Sequence, residues 1–177
     1  MINNNSIQKK KALKFYKKFK NIWENNLSSD HPYLAIIYDH LGSLYKNLNE
    51  KEKALELYEK CKNIWEKVLN SDHPDLATIY NNLGSLYINL NEKKKALELY
   101  EKCKNILEKV LNSDHPDLAT IYNNLGSLYK DLNEKKKALE LALKPKCSDV
   151  SRSGNILIKD KEESLPKELQ KISWKKF

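Results

Sequence analysis

The chain repeats itself every 42 residues, and this period constrains the fold more tightly than any other feature of its 177 residues. Ala12, Ala54, Ala96 and Ala138 fall at that interval, as do Gly42, Gly84 and Gly126 and the Asp-His-Pro triplets beginning at Asp30, Asp72 and Asp114. The segment from Ala54 to Lys95 is nearly copied by Ala96 to Lys137, with Trp65 becoming Leu107 and Ile88 becoming Lys130 among the few changes. Repetition at this length is the signature of an array in which each unit buries its apolar face only against its neighbours.

Each unit reads as two helices. In the first, Leu76, Ile79, Tyr80, Leu83, Leu86, Tyr87 and Leu90 recur at three- and four-residue steps, which draws an apolar stripe along an α-helix. Asp72 is the expected N-cap, Pro74 suits a first turn whose amide would go unpaired, and Asp75 sets negative charge at the positive end of the helix dipole. The stripe stops at Asn91, a residue type that tolerates the left-handed backbone of a tight turn. The second stripe is Ala96, Leu99, Tyr100, Cys103, Ile106, Leu107, Val110 and Leu111, which predicts a helix over Lys93 to Asn112. The fold expected from these patterns is all-α, built of antiparallel helix pairs stacked as a solenoid.

Several classes of function fall away on composition and spacing. No apolar stretch reaches the roughly 20 residues that span a bilayer, and the opening Met1-Ile-Asn-Asn-Asn-Ser lacks the apolar core of a secretory signal, so the expected location is cytoplasmic, with no membrane partner. Cys61 and Cys103 occupy equivalent positions inside apolar helical patterns and read as buried side chains rather than as a disulfide or zinc framework. The regularly spaced Asp-His pairs place one histidine in each repeat, whereas metal ligands must converge on one ion; no metal and no cofactor is expected. Nearly every polar group has a duplicate 42 residues away, there is no phosphate-cradling glycine loop, and no catalytic triad stands outside the repeat. An enzyme is not expected.

The net charge of +8 is concentrated at the ends: residues 1–30 carry +5 and residues 144–177 carry +4, leaving the repeats at −1. Of the 32 basic residues only Arg152 is an arginine, the side chain suited to bidentate phosphate and base contacts, which argues against a nucleic-acid partner. Electrostatic binding of nucleic acid or an acidic surface by the basic termini stays open as an alternative function. So does a structural segment of a longer array with no ligand of its own.

The residues Tyr80-x-x-Leu83-Gly84-x-x-Tyr87, followed by Ala96-x-x-x-Tyr100, resemble the tetratricopeptide repeat, and the same frame recurs from Tyr38 and from Tyr122. The longer unit, with Leu-Asn-Ser-Asp-His-Pro-Asp-Leu-Ala, is similar to the repeats of kinesin light chains and nephrocystin-type proteins. The resemblance covers about residues 11 to 142; beyond it Ala142 stands where Tyr100 stood and Pro145 where Cys103 stood. It implies a right-handed superhelical solenoid and a scaffold or adaptor that binds an extended protein or peptide segment in a concave groove lined by first helices. On that geometry the groove positions are Ile36, Asp39, Ser43 and Lys46 in the first unit, Thr78, Asn81, Asn82, Ser85 and Ile88 in the second, and Thr120, Asn123, Asn124, Ser127 and Lys130 in the third. The asparagines carry both a donor and an acceptor and are expected to pair with a ligand backbone.

The expected layout is a disordered start over 1–10 and a solenoid over 11–144, divided into a half unit at 11–29 and units at 30–71, 72–113 and 114–144, the last with a truncated helix. A linker at 145–163 and a short amphipathic helix or mobile basic tail at 164–177 follow. Ala12, Leu13, Tyr16, Ile22, Trp23 and Leu27 align with a second helix whose first helix is absent, so self-association through this uncovered face is a further expectation.

Overall fold

The structure, a computed structural model, describes residues 4–142. The expected linker at 145–163 and the helix or tail at 164–177 lie outside the described residues. Among those described there are seven helices: α1 (Asn4–Asn26), α2 (Pro32–Asn47), α3 (Lys51–Val68), α4 (Pro74–Asn89), α5 (Lys93–Val110), α6 (Pro116–Asp131) and α7 (Lys135–Ala142). Contacts are densest within the pairs α2–α3 and α4–α5, while α1–α2, α3–α4 and α5–α6 join each second helix to the next first helix. Each apolar stripe is therefore divided between a partner within the unit and a neighbour along the stack.

Three local findings refine the expectations. α1 begins at Asn4 and runs through residues 4–10, which were expected to be disordered; the run Ser6 to Lys18 holds no glycine or proline to stop a helix. The second helix of the central unit ends at Val110, two residues before the expected Asn112, because Leu111 turns extended. The N-caps are His31, His73 and His115 rather than the preceding aspartates. Their Nδ1 atoms accept from the amides of Tyr33, Asp75 and Asp117 at 3.2, 3.1 and 3.2 Å. Proline fixes the first helical residue, so the cap falls on the histidine directly before it, and Nδ1 sits as far from the backbone as an asparagine oxygen would. The displaced aspartates bind elsewhere: Asp30 accepts from Lys67 at 3.1 Å and Asp72 from Lys109 at 2.8 Å, tying the start of each unit to the end of its second helix.

The turns within units follow from asparagine. Asn49, Asn91 and Asn133 have φ of 60°, 61° and 64°, and their amides close onto Lys46, Ile88 and Lys130 at 3.0, 2.9 and 3.0 Å. The next amides, of Glu50, Glu92 and Glu134, reach back to the carbonyls of Tyr45, Tyr87 and Tyr129 at 2.9, 2.8 and 2.8 Å. This paired closure satisfies the last carbonyls of the first helix and reverses the chain in a few residues.

At the crossing inside α2–α3 and inside α4–α5, a tyrosine ring lies against a glycine. A Cβ added to Gly84 would fall 2.6 and 2.7 Å from Cε1 and Cδ1 of Tyr100, and one added to Gly42 would meet Tyr58 at 2.7 Å. Ala54 and Ala96 are fully buried nearby. In the third unit the sequence has Ala142 where Tyr100 stands, and among the described residues a Cβ on Gly126 would meet only the Ala138 carbonyl, at 4.0 Å.

Tyrosine hydroxyls also stitch unit to unit. Tyr38, Tyr80 and Tyr122 each donate to a carboxylate on the preceding second helix, Glu24, Glu66 and Glu108, all at 2.8 Å. Burial and these carboxylates push the Tyr122 phenol up to about 12. Burial raises Glu101 as well, but hydrogen bonds from Lys104 and Tyr129 outweigh it and hold the carboxyl below its ordinary value of 4.5. Cys61 and Cys103 are buried thiols, and burial pushes Cys103 up to about 12, leaving it a small apolar filler.

The open side of the array is visible in α1. Phe15 and Ile22 are 36% and 44% exposed, while their counterparts in α3, Leu57 and Ile64, are 6% and 4% exposed against α2.

Two predictions follow from this packing. Gly84→Ala should lower stability by about 1–3 kcal/mol because the Tyr100 ring must shift, whereas Gly126→Ala, with open space, should be neutral or stabilise by up to ~1 kcal/mol through helix propensity; urea unfolding midpoints of the two variants check the contrast. Because Glu101 has a lowered folded-state pKa, its stabilisation is complete above 4.5 and is lost as pH falls through the lower folded value. Glu101→Gln should therefore flatten the loss of stability between about pH 5 and pH 3, read from thermal unfolding across that range.

Candidate functional site: the groove between first helices

The first helices α2 and α4 lie side by side along the stack and are laced together by polar side chains. Asn82 donates to Asp39 at 3.3 Å and Lys46 to Ser85 at 3.1 Å, and from the start of α3 Lys51 donates to the Asn89 carbonyl at the end of α4, at 3.1 Å. Between α4 and α6, Asn124 donates to the Asn81 oxygen at 3.2 Å. Of the asparagines expected to meet a ligand, Asn82 and Asn124 therefore use one N–H on the preceding unit, and Asn81 accepts through its oxygen. A side-chain amide has two N–H groups, so Asn82 and Asn124 each have a second to offer anything laid along the groove.

A cavity of about 310 Å³ opens where α2 and α4 face each other. Ile36 and Asp39 line it from α2 and Thr78 from α4; Trp65, Leu69 and Cys61 of α3 form its floor, and His73 and Asp75 stand at the start of α4. The rim aromatic, Tyr33, is held by Trp23 at 5.3 Å and His31 at 4.7 Å between ring centroids. His40 also lines the cavity and stacks on Tyr16 at 5.2 Å. The walls are thus largely apolar and aromatic. The charged residues among them are Asp39, which is 8% exposed, and Asp75, with no lysine or arginine in the lining.

The other expected groove residues are distributed along the stack. Ser43 is hydrogen-bonded with the Tyr58 hydroxyl at 3.0 Å, and Lys46, largely buried, has its ammonium pKa lowered by desolvation. Thr78 and Thr120 donate to the carbonyls of Pro74 and Pro116 one turn back, at 3.3 and 3.0 Å. Ile88 packs half-buried against the core. In the third unit Asn123, Ser127 and Lys130 are exposed. The structure gathers Ile36, Asp39 and Thr78 at one cavity and leaves the rest as a polar track beyond it.

Reading the sequence alone assigned Asp75 to the helix dipole, weighed the Asp-His pairs only as metal ligands or helix caps, and offered none of Tyr33, Trp65, His73 and Asp75 as a groove residue. A signal was present in the repeats themselves. α2 and α4 differ at five positions, 33, 36, 39, 40 and 46, and the first four line the cavity. α4 and α6 differ only at their last two residues, and Trp65 on the floor is a leucine in the next unit. Where the units diverge is where the cavity lies.

Among the described residues, no three histidine, cysteine or acidic side chains gather so as to hold a metal ion, and no helix is long and apolar enough to cross a membrane.

Comparison with known proteins places this geometry. A family model described as tetratricopeptide repeat matches residues 8–61, 48–109 and 94–144. No curated protein sequence matches the chain. Among solved structures, BtubC (BKLC) from P. vanneervenii is 25% identical with a TM-score of 0.70, the match covering 76% of this chain and 54% of that one, so the chain spans little more than half of its length. A putative kinesin light chain from Podosopora anserina with nearly identical TPR-like repeats is 23% identical with a TM-score of 0.72, covering 93% of this chain and 72% of that one. MamA is similar at 23% identity and a TM-score of 0.54, covering 77% and 66%. The neighbours are superhelical solenoids of this repeat, a class of typically non-enzymatic scaffolds that generally mediate protein–protein interaction. With matches running from residue 8 to residue 144, the chain belongs to the tetratricopeptide repeat family.

Proposed function

We propose that the chain is an adaptor that holds an extended peptide segment along its first helices, anchored by one side chain in the cavity between α2 and α4. The observation that carries this reading is the concentration of unit-to-unit differences at Tyr33, Ile36, Asp39 and His40, on a stack whose first helices are otherwise close copies. An apolar floor with carboxylates at its wall suits an anchor with an aliphatic stem and a donating or cationic end. Asn81, Asn82, Asn123 and Asn124 then offer their remaining N–H groups to the ligand backbone beyond the anchor. Binding through a short groove of this kind is modest in affinity, and specificity comes from the anchor.

The open face of α1 supports self-association as a second element of the same reading, since Phe15 and Ile22 show surface that their counterparts in α3 bury. Sedimentation velocity at rising concentration should then show a shift toward dimer; a single monomer boundary throughout would remove it.

The direct test exploits the repeat. Tyr33→Asp, Ile36→Thr, Asp39→Asn and His40→Asn together rewrite that half of α2 as the sequence already accommodated in α4. A positional library of capped, dye-labelled heptapeptides, read by fluorescence polarisation, should select a preferred anchor with the wild type. The rewritten protein should keep its helical signal and lose that preference about tenfold or more. An unchanged preference, or binding that collapses with added salt and so belongs to the basic ends, would reject the assignment.

A further inference from the structure

The repeats also reveal a second site by what one of them is missing. Tyr87 donates its hydroxyl to Glu59 at 3.1 Å, and Tyr129 donates to Glu101 at 2.7 Å; each glutamate pairs in turn with the lysine three residues on, Lys62 or Lys104, at 2.5 Å. The corresponding tyrosine of α2 is Tyr45, and the position of Glu59 is taken on α1 by Lys17. Tyr45 is 7% exposed and donates to no described carboxylate. The ammonium groups of Lys17 and Lys53 stand 5.4 and 5.3 Å from its ring centroid; Lys95 and Lys137, the counterparts of Lys53, stand over Tyr87 and Tyr129 at 5.2 and 5.0 Å, so Lys17 is what sets Tyr45 apart.

A cavity of about 390 Å³ opens at this point between α1 and α3, lined by Lys17, Lys20, Lys53, Lys60, Glu56 and Tyr45 among others. Lys20, Lys53 and Lys60 are paired along their own helices with Glu24, Glu50 and Glu56 at 2.7, 2.5 and 2.7 Å, so the surplus charge is that of Lys17. The same set of positions one unit on, with Glu59 in place of Lys17, carries one net negative charge where this set carries one net positive. A concave surface focuses that excess on its interior.

We propose that this cavity takes a glutamate or aspartate side chain from an acidic peptide segment of a partner protein, in the place where the next two units supply a carboxylate of their own. A carboxylate there would accept from the Tyr45 hydroxyl as Glu59 and Glu101 accept from Tyr87 and Tyr129, and would lie among ammonium groups that can donate to it. A planar carboxylate is the group for which the repeat is already shaped. The site is separate from the first-helix groove, so the fate of the groove assignment does not decide it.

The test is an NMR titration of the full chain with tyrosine rings labelled, using a capped hexaglutamate peptide, with inorganic phosphate at matched ionic strength as a second arm. The peptide should shift the Tyr45 ring signals saturably. Lys17→Glu recreates the arrangement of the next unit and should keep the fold while weakening binding about tenfold or more. Lys94→Glu changes net charge equally at an exposed position of α5 and should leave binding unchanged. Should Lys17→Glu lower the helical signal, Tyr45→Phe decides, with an expected loss of about threefold. Equal weakening by Lys17→Glu and Lys94→Glu, no loss in Tyr45→Phe, or saturation of the same signals by phosphate alone would each overturn the proposal.

Discussion

A tyrosine ring seated against a glycine of the facing helix is the contact on which the pairs α2–α3 and α4–α5 depend. Tyr58 lies on Gly42 and Tyr100 on Gly84, at distances that leave no room for a methyl group. Close approach at that point brings the apolar stripes of both helices together, and the fully buried Ala54 and Ala96 sit beside it for the same reason. The pair so formed still has an apolar edge on its outer side. Only the next pair covers it, which is why the core of the molecule is one continuous run from Leu34 to Tyr129 rather than a set of separate cores.

Along the stack, polar contacts repeat with the same period as the apolar ones. Tyrosine hydroxyls donate to glutamates on the preceding second helix, and asparagines on one first helix donate to the preceding first helix. Hydrogen bonds to ionised acceptors contribute about 1.5–3 kcal/mol each where partly buried, so they fix the register in which units stack as well as adding to stability. The repetition also makes departures meaningful. At Tyr33, Ile36, Asp39 and His40 the departure shapes a cavity between first helices; at Lys17 it reverses the charge of a cavity between second helices.

Much of the fold was legible in the sequence because the period carries it. The two stripes predicted the helices, and Asn91 predicted the turn that its φ of 61° now shows. The family resemblance rested on residues of the same stripes together with Gly84, which now lies at the crossing. The N-cap was misassigned to Asp72 because aspartate is the commoner cap; histidine can present Nδ1 at the same place, and the proline after it decides which residue is used. The site was less legible. A stripe pattern says that Trp65 is buried but not that it lines a cavity, and the expectation that Asn82 meets a ligand did not include Asp39 accepting from it. Side-chain pairings across 43 residues depend on the stacking angle between units, which no local pattern encodes.

Amide hydrogen exchange, resolved helix by helix, tests most directly whether stacking is what holds the molecule together. With burial shared between neighbours, α3, α4 and α5 should exchange slowest and together, while α1 and α7, each with one neighbouring helix among those described, should exchange sooner. Protection in α1 equal to that in α4, or helices that exchange independently of their neighbours, would contradict the dependence of each unit on the next.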